Sequence, residues 1–483
     1  MRRHHVAGIP AALLLLAVAA CSGPGSDSGA VSDMSGVAPA TEDENYGANE
    51  PVSPADDPES TFAVDVDTAS YDYARRSLED GALPPADQIR PEEFVNYFDQ
   101  GYSEPEGNGF AVTVDSAELP EWYDAGDATH VMRVGLQARS EPETERADVN
   151  LTFVIDVSGS MEGDRIELVR DSLDLLVSQL RPTDAVAIVT YESDSEVLQG
   201  MTDVGDGEEL HEAISELNAR GSTNMQAGLE DGYELASEVF DPDKDNRVIL
   251  LSDGEANVGL TEHDAMLDEL GEDIAEGITL LTVGVGDSYN QELLEQLADN
   301  GDGWAVYFAT ETEAERVFSE RLTSTLGVAA RDAKIQVTFD EATVAEYRLI
   351  GFENRAIADD EFEDDGVDGG EVGPGHSVTA LYALTLTGDG GDVATVDVRW
   401  QDPEQENTGT AEAVLPTEGL SADPDSHLSV DLVAAAFAEI LRGSSEFECE
   451  DLLPAARELA EMSEDPDVAE LADLIETASD LGA

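Results

Sequence analysis

The stretch Phe153-Val154-Ile155-Asp156-Val157-Ser158-Gly159-Ser160 decides the fold. An apolar run stops on an acid followed by two hydroxyls, which reads as a strand buried on both faces that ends at a polar edge. Next comes an amphipathic segment, Arg165–Leu180, with Ile166, Val169, Leu173, Leu176 and Leu180 at helical spacing. The same alternation continues outward. Strands are predicted over Leu151–Val157, Ala185–Tyr191, Arg247–Leu251, Ile278–Val285 and Trp304–Phe308. Helices are predicted near Glu208–Ala219, Met225–Val239, His263–Glu276, Asn290–Ala298 and Thr312–Leu326. Strands separated by helices imply an α/β architecture with a central, doubly wound, mostly parallel sheet. In such sheets ligands gather outside the carboxyl ends of the strands.

Three oxygen-rich segments fall at those ends or in neighbouring loops. They are Asp156-Val157-Ser158-Gly159-Ser160, Gly221-Ser222-Thr223-Asn224, and Ser252-Asp253-Gly254-Glu255 after Val248-Ile249-Leu250-Leu251. An Asp-x-Ser-x-Ser, a later loop threonine and a later strand-end aspartate, in that order, resemble the metal-ion-dependent adhesion site of von Willebrand factor A domains. The resemblance assigns metal-ligand roles to Asp156, Ser158, Ser160, Thr223 and Asp253. It implies hydroxyl coordination by the serines and the threonine, with the aspartates acting directly or through water. Hard oxygen donors without His or Cys suit Mg²⁺ or Mn²⁺ in octahedral geometry. The resemblance also implies that a partner protein completes the site with an Asp or Glu carboxylate. Turn and cap chemistry is the plainer use of such residues: Asp-x-Ser after a strand can simply cap a helix beginning near Glu162.

Flanking the domain assigned to residues 149–327 are segments of different character. Ser60-Thr61-Phe62-Ala63-Val64-Asp65-Val66-Asp67 leads into a predicted helix, Tyr73–Glu79, and then Leu83-Pro84-Pro85 and Arg90-Pro91-Glu92-Glu93-Phe94. Residues 60–148 thereby resemble the amino-terminal domain of a bacterial family of A-domain lipoproteins, whose members also carry a dedicated carboxy-terminal domain, here 328–483. Alternation of Phe62, Val64 and Val66 puts Asp65 and Asp67 on the opposite face, which predicts a solvated or turn-capping role. Beyond Gly327, strands are expected over Ala333–Phe339, Tyr347–Phe352, Ser377–Leu386, Ala394–Trp400 and Glu412–Leu415. An acidic, Gly-rich loop expected to be mobile interrupts them between Ala358 and Gly375, and residues 427–443 and 450–481 read as helical. A domains keep their two ends close together. Strands near Phe110–Ala117 and His130–Ala138 are therefore expected to join the 331–416 strands in one β-sandwich.

The amino terminus reads as an address. Arg2 and Arg3 precede an apolar run to Ala20 that Gly8 and Pro10 interrupt, the layout of a signal peptide over residues 1–20. Val18-Ala19-Ala20-Cys21 resembles the bacterial lipobox, so Cys21 is the expected lipidation site; an ordinary secretory signal or an uncleaved anchor is the alternative. Residues 21–59, rich in Ser, Gly, Pro, Asp and Glu, are expected to form a flexible linker. The location implied is the extracytoplasmic face of the cell membrane, touched through the lipid alone. Cys449 is left as a lone thiol with a packing role.

Composition narrows the partners. Among 483 residues, 108 are acidic and 23 basic, a formal net charge of -85, and Lys244 and Lys334 are the only lysines. No Lys/Arg stripe is present for nucleic acid or anionic lipid. Self-repulsion of this size points to a halophilic or salt-tolerant source, where the Debye length shrinks to about 3 Å at 1 M salt. No phosphate-binding loop, Gly-x-Ser-x-Gly elbow or zinc-protease helix occurs, and beyond His4 and His5 the histidines stand singly. The expectation is a metal-dependent binding module, not an enzyme, with an envelope scaffold as the alternative.

Overall fold

Every residue of Val149–Asp156 is buried, as a central strand covered on both faces requires. The computed structural model describes residues 48–483, apart from 108, 124–125, 142–145, 255–276, 287–289, 321, 365, 368, 389 and 404–406. The amino-terminal flank contributes β1 (Glu59–Ala63), α1 (Ala69–Glu79), α2 (Pro91–Asn96), β2 (Phe110–Glu118) and β3 (His130–Ala138). The central domain follows with β4 (Val149–Asp156), α3 (Asp164–Gln179), β5 (Ala185–Tyr191), β6 (Ser195–Asp203), α4 (Glu208–Ser215), α5 (Met225–Glu238) and β7 (Asp245–Ser252). It continues through β8 (Thr279–Val285), α6 (Gln291–Asp299), β9 (Trp304–Phe308), α7 (Glu311–Glu315) and α8 (Leu322–Leu326). The carboxy-terminal flank has β10 (Ala330–Phe339), β11 (Val344–Ile350), β12 (Gly370–Val372), β13 (Ser377–Leu386), β14 (Asp392–Asp402), β15 (Asn407–Pro416) and β16 (Leu420–Ser421). Helices α9 (Ser426–Leu441), α10 (Cys449–Met462) and α11 (Pro466–Leu481) close the chain.

The central sheet runs β6-β5-β4-β7-β8-β9, parallel except for β6, which pairs antiparallel with β5. Its two faces have separate cores. Leu151, Phe153, Ile155 and Leu173 lie in one, while Val154, Val189, Leu229 and Leu250 lie in the other. β6 was not among the expected strands: Ser195-Glu196-Val197-Leu198-Gln199 is half exposed at an edge and carries no buried alternation. The expected helix Thr312–Leu326 is broken into α7, a π-helical turn (Arg316–Glu320) and α8. Likewise, 450–481 is two helices, parted at Ser463 and restarted by Asp465, whose side chain caps Pro466–Leu481. The expected helix His263–Glu276 lies outside the described residues.

The flanks form one β-sandwich, as the closeness of the A domain's ends suggested. One sheet is β11-β13-β3-β2-β16, and the other contains β1-β10-β14-β15 with β12 beside β10. Phe62, Met132, Val134, Ile335, Val337, Tyr382 and Val396 fill the space between them. Helix α9 is buried almost all round against α2 and the outer helices.

Three expectations need correction. The linker ends earlier than residue 59, because Val52 exchanges backbone hydrogen bonds with Tyr347 at 2.8 and 2.9 Å and Asn49 bonds the Leu349 and Gly351 carbonyls. Loop 358–375 is fastened in its described parts. Asp359 accepts from Thr61 Oγ1 at 2.6 Å, the buried Lys334 ammonium donates to the Asp364 carbonyl at 2.7 Å, and β12 pairs with β10. Asp65 and Asp67 are not solvated, being only 4% and 2% exposed. Their turn role does hold, since Asp65 Oδ1 accepts from the Asp67 N–H at 2.9 Å. Burial is tolerated because Arg355 donates to Asp65 at 3.1 Å and sits 2.8 Å from Asp299 and 3.8 Å from Asp67.

Candidate functional site

The carboxyl ends of β4 and β7 lie side by side, with Ile155 in register with Leu251, so Asp156 and Ser252 meet at the sheet edge. Ser252 Oγ donates to Asp156 Oδ2 at 2.9 Å, and the Ser158 N–H donates to Asp156 Oδ1 at 2.8 Å. Ser158 and Ser160 hydroxyls stand 3.0 Å apart. Asp253 follows Ser252 directly and is fully buried, as is Asp156; Ser158 and Thr223 are each 1% exposed.

Loop 220–224 is stapled by backbone to the first segment and to Glu192, just past β5. Arg220 N donates to the Val157 carbonyl at 2.5 Å, Gly159 N to the Gly221 carbonyl at 3.2 Å, and Asn224 N to the Glu192 carbonyl at 2.6 Å. Gly221 has φ +80°, and a Cβ there would stand 1.6 Å from Glu192 Oε2, so only glycine lets this loop lie down. Gly254 plays the same part in the third segment: at φ +71°, an added Cβ would press on Asn290 at 2.8 Å. All three predicted segments therefore converge on one edge.

Of the plainer uses of these residues, the turn role is present, since Asp156 Oδ1 accepts from the Ser158 N–H two residues on, and helix capping can be checked atom by atom. Helix α3 begins at Asp164 after Gly163, with no side-chain cap, so the Asp156 segment does not cap it. The short 3₁₀ turn Gly159–Met161 likewise takes no side-chain cap from Ser158. Helix α5 is capped by Asn224, not Thr223.

Electrostatics at the edge is dominated by burial. Desolvation pushes the Asp156 carboxyl up to about 6, against the hydrogen bonds from Ser158 and with a further push from Asp253. Among the described residues, no group of three or more His, Cys, Asp and Glu side chains forms a metal cage. A cation here has to be held by the hydroxyls together with the two aspartates, a donor set that fits Mg²⁺ or Mn²⁺ and offers nothing to soft metals.

One residue at the edge was not foreseen. Arg165 donates to Asp253 Oδ2 at 2.8 Å and to the Ser160 carbonyl at 3.1 Å. In the sequence it reads as an ordinary solvent-facing helical arginine; the only hint is a cation in the first turn of a helix, where the dipole disfavours it. A cleft of about 620 Å³ lies elsewhere, beside β9, and is lined by Tyr97, Phe98, Trp304, Arg316 and His376 among others. None of the five predicted ligands lines it, and the hydrogen-bonded convergence is the better guide to chemistry.

Comparison with known proteins places the chain's domains. Residues 150–320 match the von Willebrand factor type A domain, 40–127 a family described as von Willebrand factor, and 324–392 the carboxy-terminal domain of the uncharacterized protein YfbK. Over 421 residues the chain is 35% identical to that protein from Escherichia coli (strain K12), spanning 81% of this chain and 72% of the relative. The chain belongs to the YfbK family. A second relative, the uncharacterized protein sll0103 of Synechocystis, is 29% identical over 199 residues, 41% of this chain and 47% of its own. A solved structure described as von Willebrand factor type A from Catenulispora acidiphila aligns at 15% identity with a TM-score of 0.47, over 76% of this chain and 89% of its own. The YfbK-family chain thus has a von Willebrand factor A fold between flanks that together make the β-sandwich.

Proposed function

We propose that this YfbK-family protein is an exported lipoprotein that captures a protein partner through a divalent cation at the edge of its A domain. In this reading Asp156, Ser158, Ser160, Thr223 and Asp253 hold Mg²⁺ or Mn²⁺, and an Asp or Glu carboxylate of the partner completes the coordination. The bound ion supplies a hard positive centre for that carboxylate. The chain's own residues do the rest: Ser252 and the Ser158 N–H orient Asp156, and the backbone staples hold loop 220–224 against Gly159. The observation that carries the reading is the meeting of three distant segments, in which none of the five named oxygen residues caps a helix. Export and acylation at Cys21 rest on the sequence, and no catalytic role is assigned to any residue.

The test is calorimetric titration of Mg²⁺ into the full chain, then capture from envelope extract with and without chelator. Wild type is expected to bind the ion and a chelator-sensitive partner, and Asp156→Ala to lose both while keeping its circular dichroism. The Arg165–Asp253 ion pair favours a second reading, an envelope scaffold whose edge needs no metal. Absence of heat and of any Mg²⁺-induced thermal shift would establish that one.

A further inference from the structure

Arg165 is the second residue of α3, at the positive end of the helix dipole, where an acid is the stabilising choice. Asp164 and Glu167 beside it follow that rule, and Arg165 breaks it. Its position makes sense only through what the guanidinium reaches. The same NH1 bonds Asp253 Oδ2 at 2.8 Å and the Ser160 carbonyl at 3.1 Å, tying the third oxygen segment to the first. Asp253 is fully buried, whereas the arginine side chain is 23% exposed, so the pair opens to solvent from the arginine side.

The path of that side chain is also built in. Gly286, at the end of β8, has φ +93°, and a Cβ there would stand 2.5 Å from Arg165 Nε and 3.0 Å from its Cδ. A bare backbone at this point lets the arginine lie across the strand end and reach Asp253. Of the two carboxylates at the edge, Asp156 takes its hydrogen bonds from neutral donors, Ser252 and the Ser158 N–H, and Asp253 accepts from a full positive charge.

We infer that Arg165 is the built-in counter-ion of the cation site: it competes with the divalent ion for Asp253 and thereby sets how tightly that ion is held. This rests on the metal-dependent reading above. A guanidinium and a divalent cation that share one buried carboxylate repel each other, and the carboxylate's charge is divided between them. A site so arranged is tuned to a weak, exchangeable ion, retained chiefly when a partner's carboxylate adds a further negative charge.

The experiment is titration of MgCl₂ and, separately, MnCl₂ into the full chain in detergent at fixed ionic strength, read by calorimetry and by thermal shift. Wild type is compared with Arg165→Met, Arg165→Gln, Arg165→Lys and Asp156→Asn. The two neutral variants are expected to bind the ion about tenfold more tightly, equivalent to about 1.4 kcal/mol. Glutamine keeps a polar, uncharged side chain at this position, so it guards against a loss of fold in the methionine variant. Lysine keeps the charge and should stay within about threefold of wild type. Tighter binding in both neutral variants, including binding that appears only in them, supports the inference. Unchanged or weaker binding in them, with wild type binding and Asp156→Asn silent, overturns it and leaves the metal reading intact. Silence in every variant overturns both.

Discussion

Two clusters of carboxylates in this molecule are built for opposite ends. At the edge of the A domain, Asp156 and Asp253 sit among hydroxyls, and Arg165 pairs with Asp253. Under the flanks, Asp65, Asp67, Glu93, Glu295 and Asp299 are packed together with Arg355 and Arg90 where α6, β1's continuation and α2 meet. The first set is neutral hydroxyl plus acid, the second almost wholly acid, yet the acid-rich cluster is the one that resembles a structural joint. Its cation is covalently part of the chain: Arg355 reaches Asp65, Asp67 and Asp299 at once. Acid content alone therefore says little about metal binding. What separates the clusters is the company the acids keep: serine and threonine hydroxyls at the edge, further carboxylates around Arg355 at the joint.

The largest expected effect comes from removing that internal cation. Arg355→Leu takes the partner from two buried carboxylates, Asp65 and Asp67, and from the half-buried Asp299, and breaking a buried pair from one side costs about 3–5 kcal/mol. Chemical denaturation at neutral pH is expected to show a loss of that order. A loss below about 1 kcal/mol would mean that the carboxylates are neutralised by protons alone and that the contrast between the clusters is false.

A second test uses the protons directly. Burial, with Glu353 and Asp65 nearby, pushes Glu92 up to about 7; burial also raises Glu295 to about 7, against the pull of Arg90. Both carboxylate oxygens of Glu92 are buried without a hydrogen-bond partner. A folded-state pKa above the unfolded one means the folded chain binds the proton more tightly. The associated stability is present below the unfolded value of about 4.5 and is lost as pH rises through about 7. The protein should therefore resist denaturant better at pH 5 than at pH 8 at constant salt. Glu92→Gln should flatten this dependence and stabilise the protein at pH 8 by about 1–3 kcal/mol. A Glu92→Gln variant less stable than wild type at pH 8 would show that this carboxylate is usefully ionised.

The same contrast explains which parts were legible in the sequence. Each oxygen segment at the edge follows an apolar run or sits in a Gly-Ser-Thr loop, so its place was visible locally from Phe153–Asp156 and Val248–Asp253. The parallel sheet followed from the same runs, and the shared β-sandwich from the closeness of an A domain's two ends, which the resemblance implied. The joint was misread because its parts are remote: Asp65 and Arg355 lie 290 residues apart, and nothing in Phe62-Ala63-Val64-Asp65 announces an arginine above it. Strand β6 escaped because an exposed edge imposes no alternation, and Arg165 because its partner lies 88 residues downstream. Asp465-Pro466, a start signal in plain sight, was overlooked inside a longer helical pattern.

The smallest expected effect on stability is also the sharpest test of the comparison. Asp156→Asn removes a charge that burial and Asp253 oppose, while the amide oxygen can still accept from the Ser158 N–H. Ser252 loses an acceptor in Asp156 Oδ2, but its own oxygen already accepts from Gly254 N at 2.9 Å and its hydroxyl can turn. Gain and loss offset, so the unfolding free energy without metal should move by no more than about 1 kcal/mol at pH 7.5. The Mg²⁺-induced thermal shift, in contrast, should vanish. On the proposed reading the edge loses its ligand and keeps its fold, whereas the Arg355 joint has only the fold to lose. If Asp156→Asn unfolds the A domain as readily as Arg355→Leu unfolds the flanks, the edge is a structural joint too.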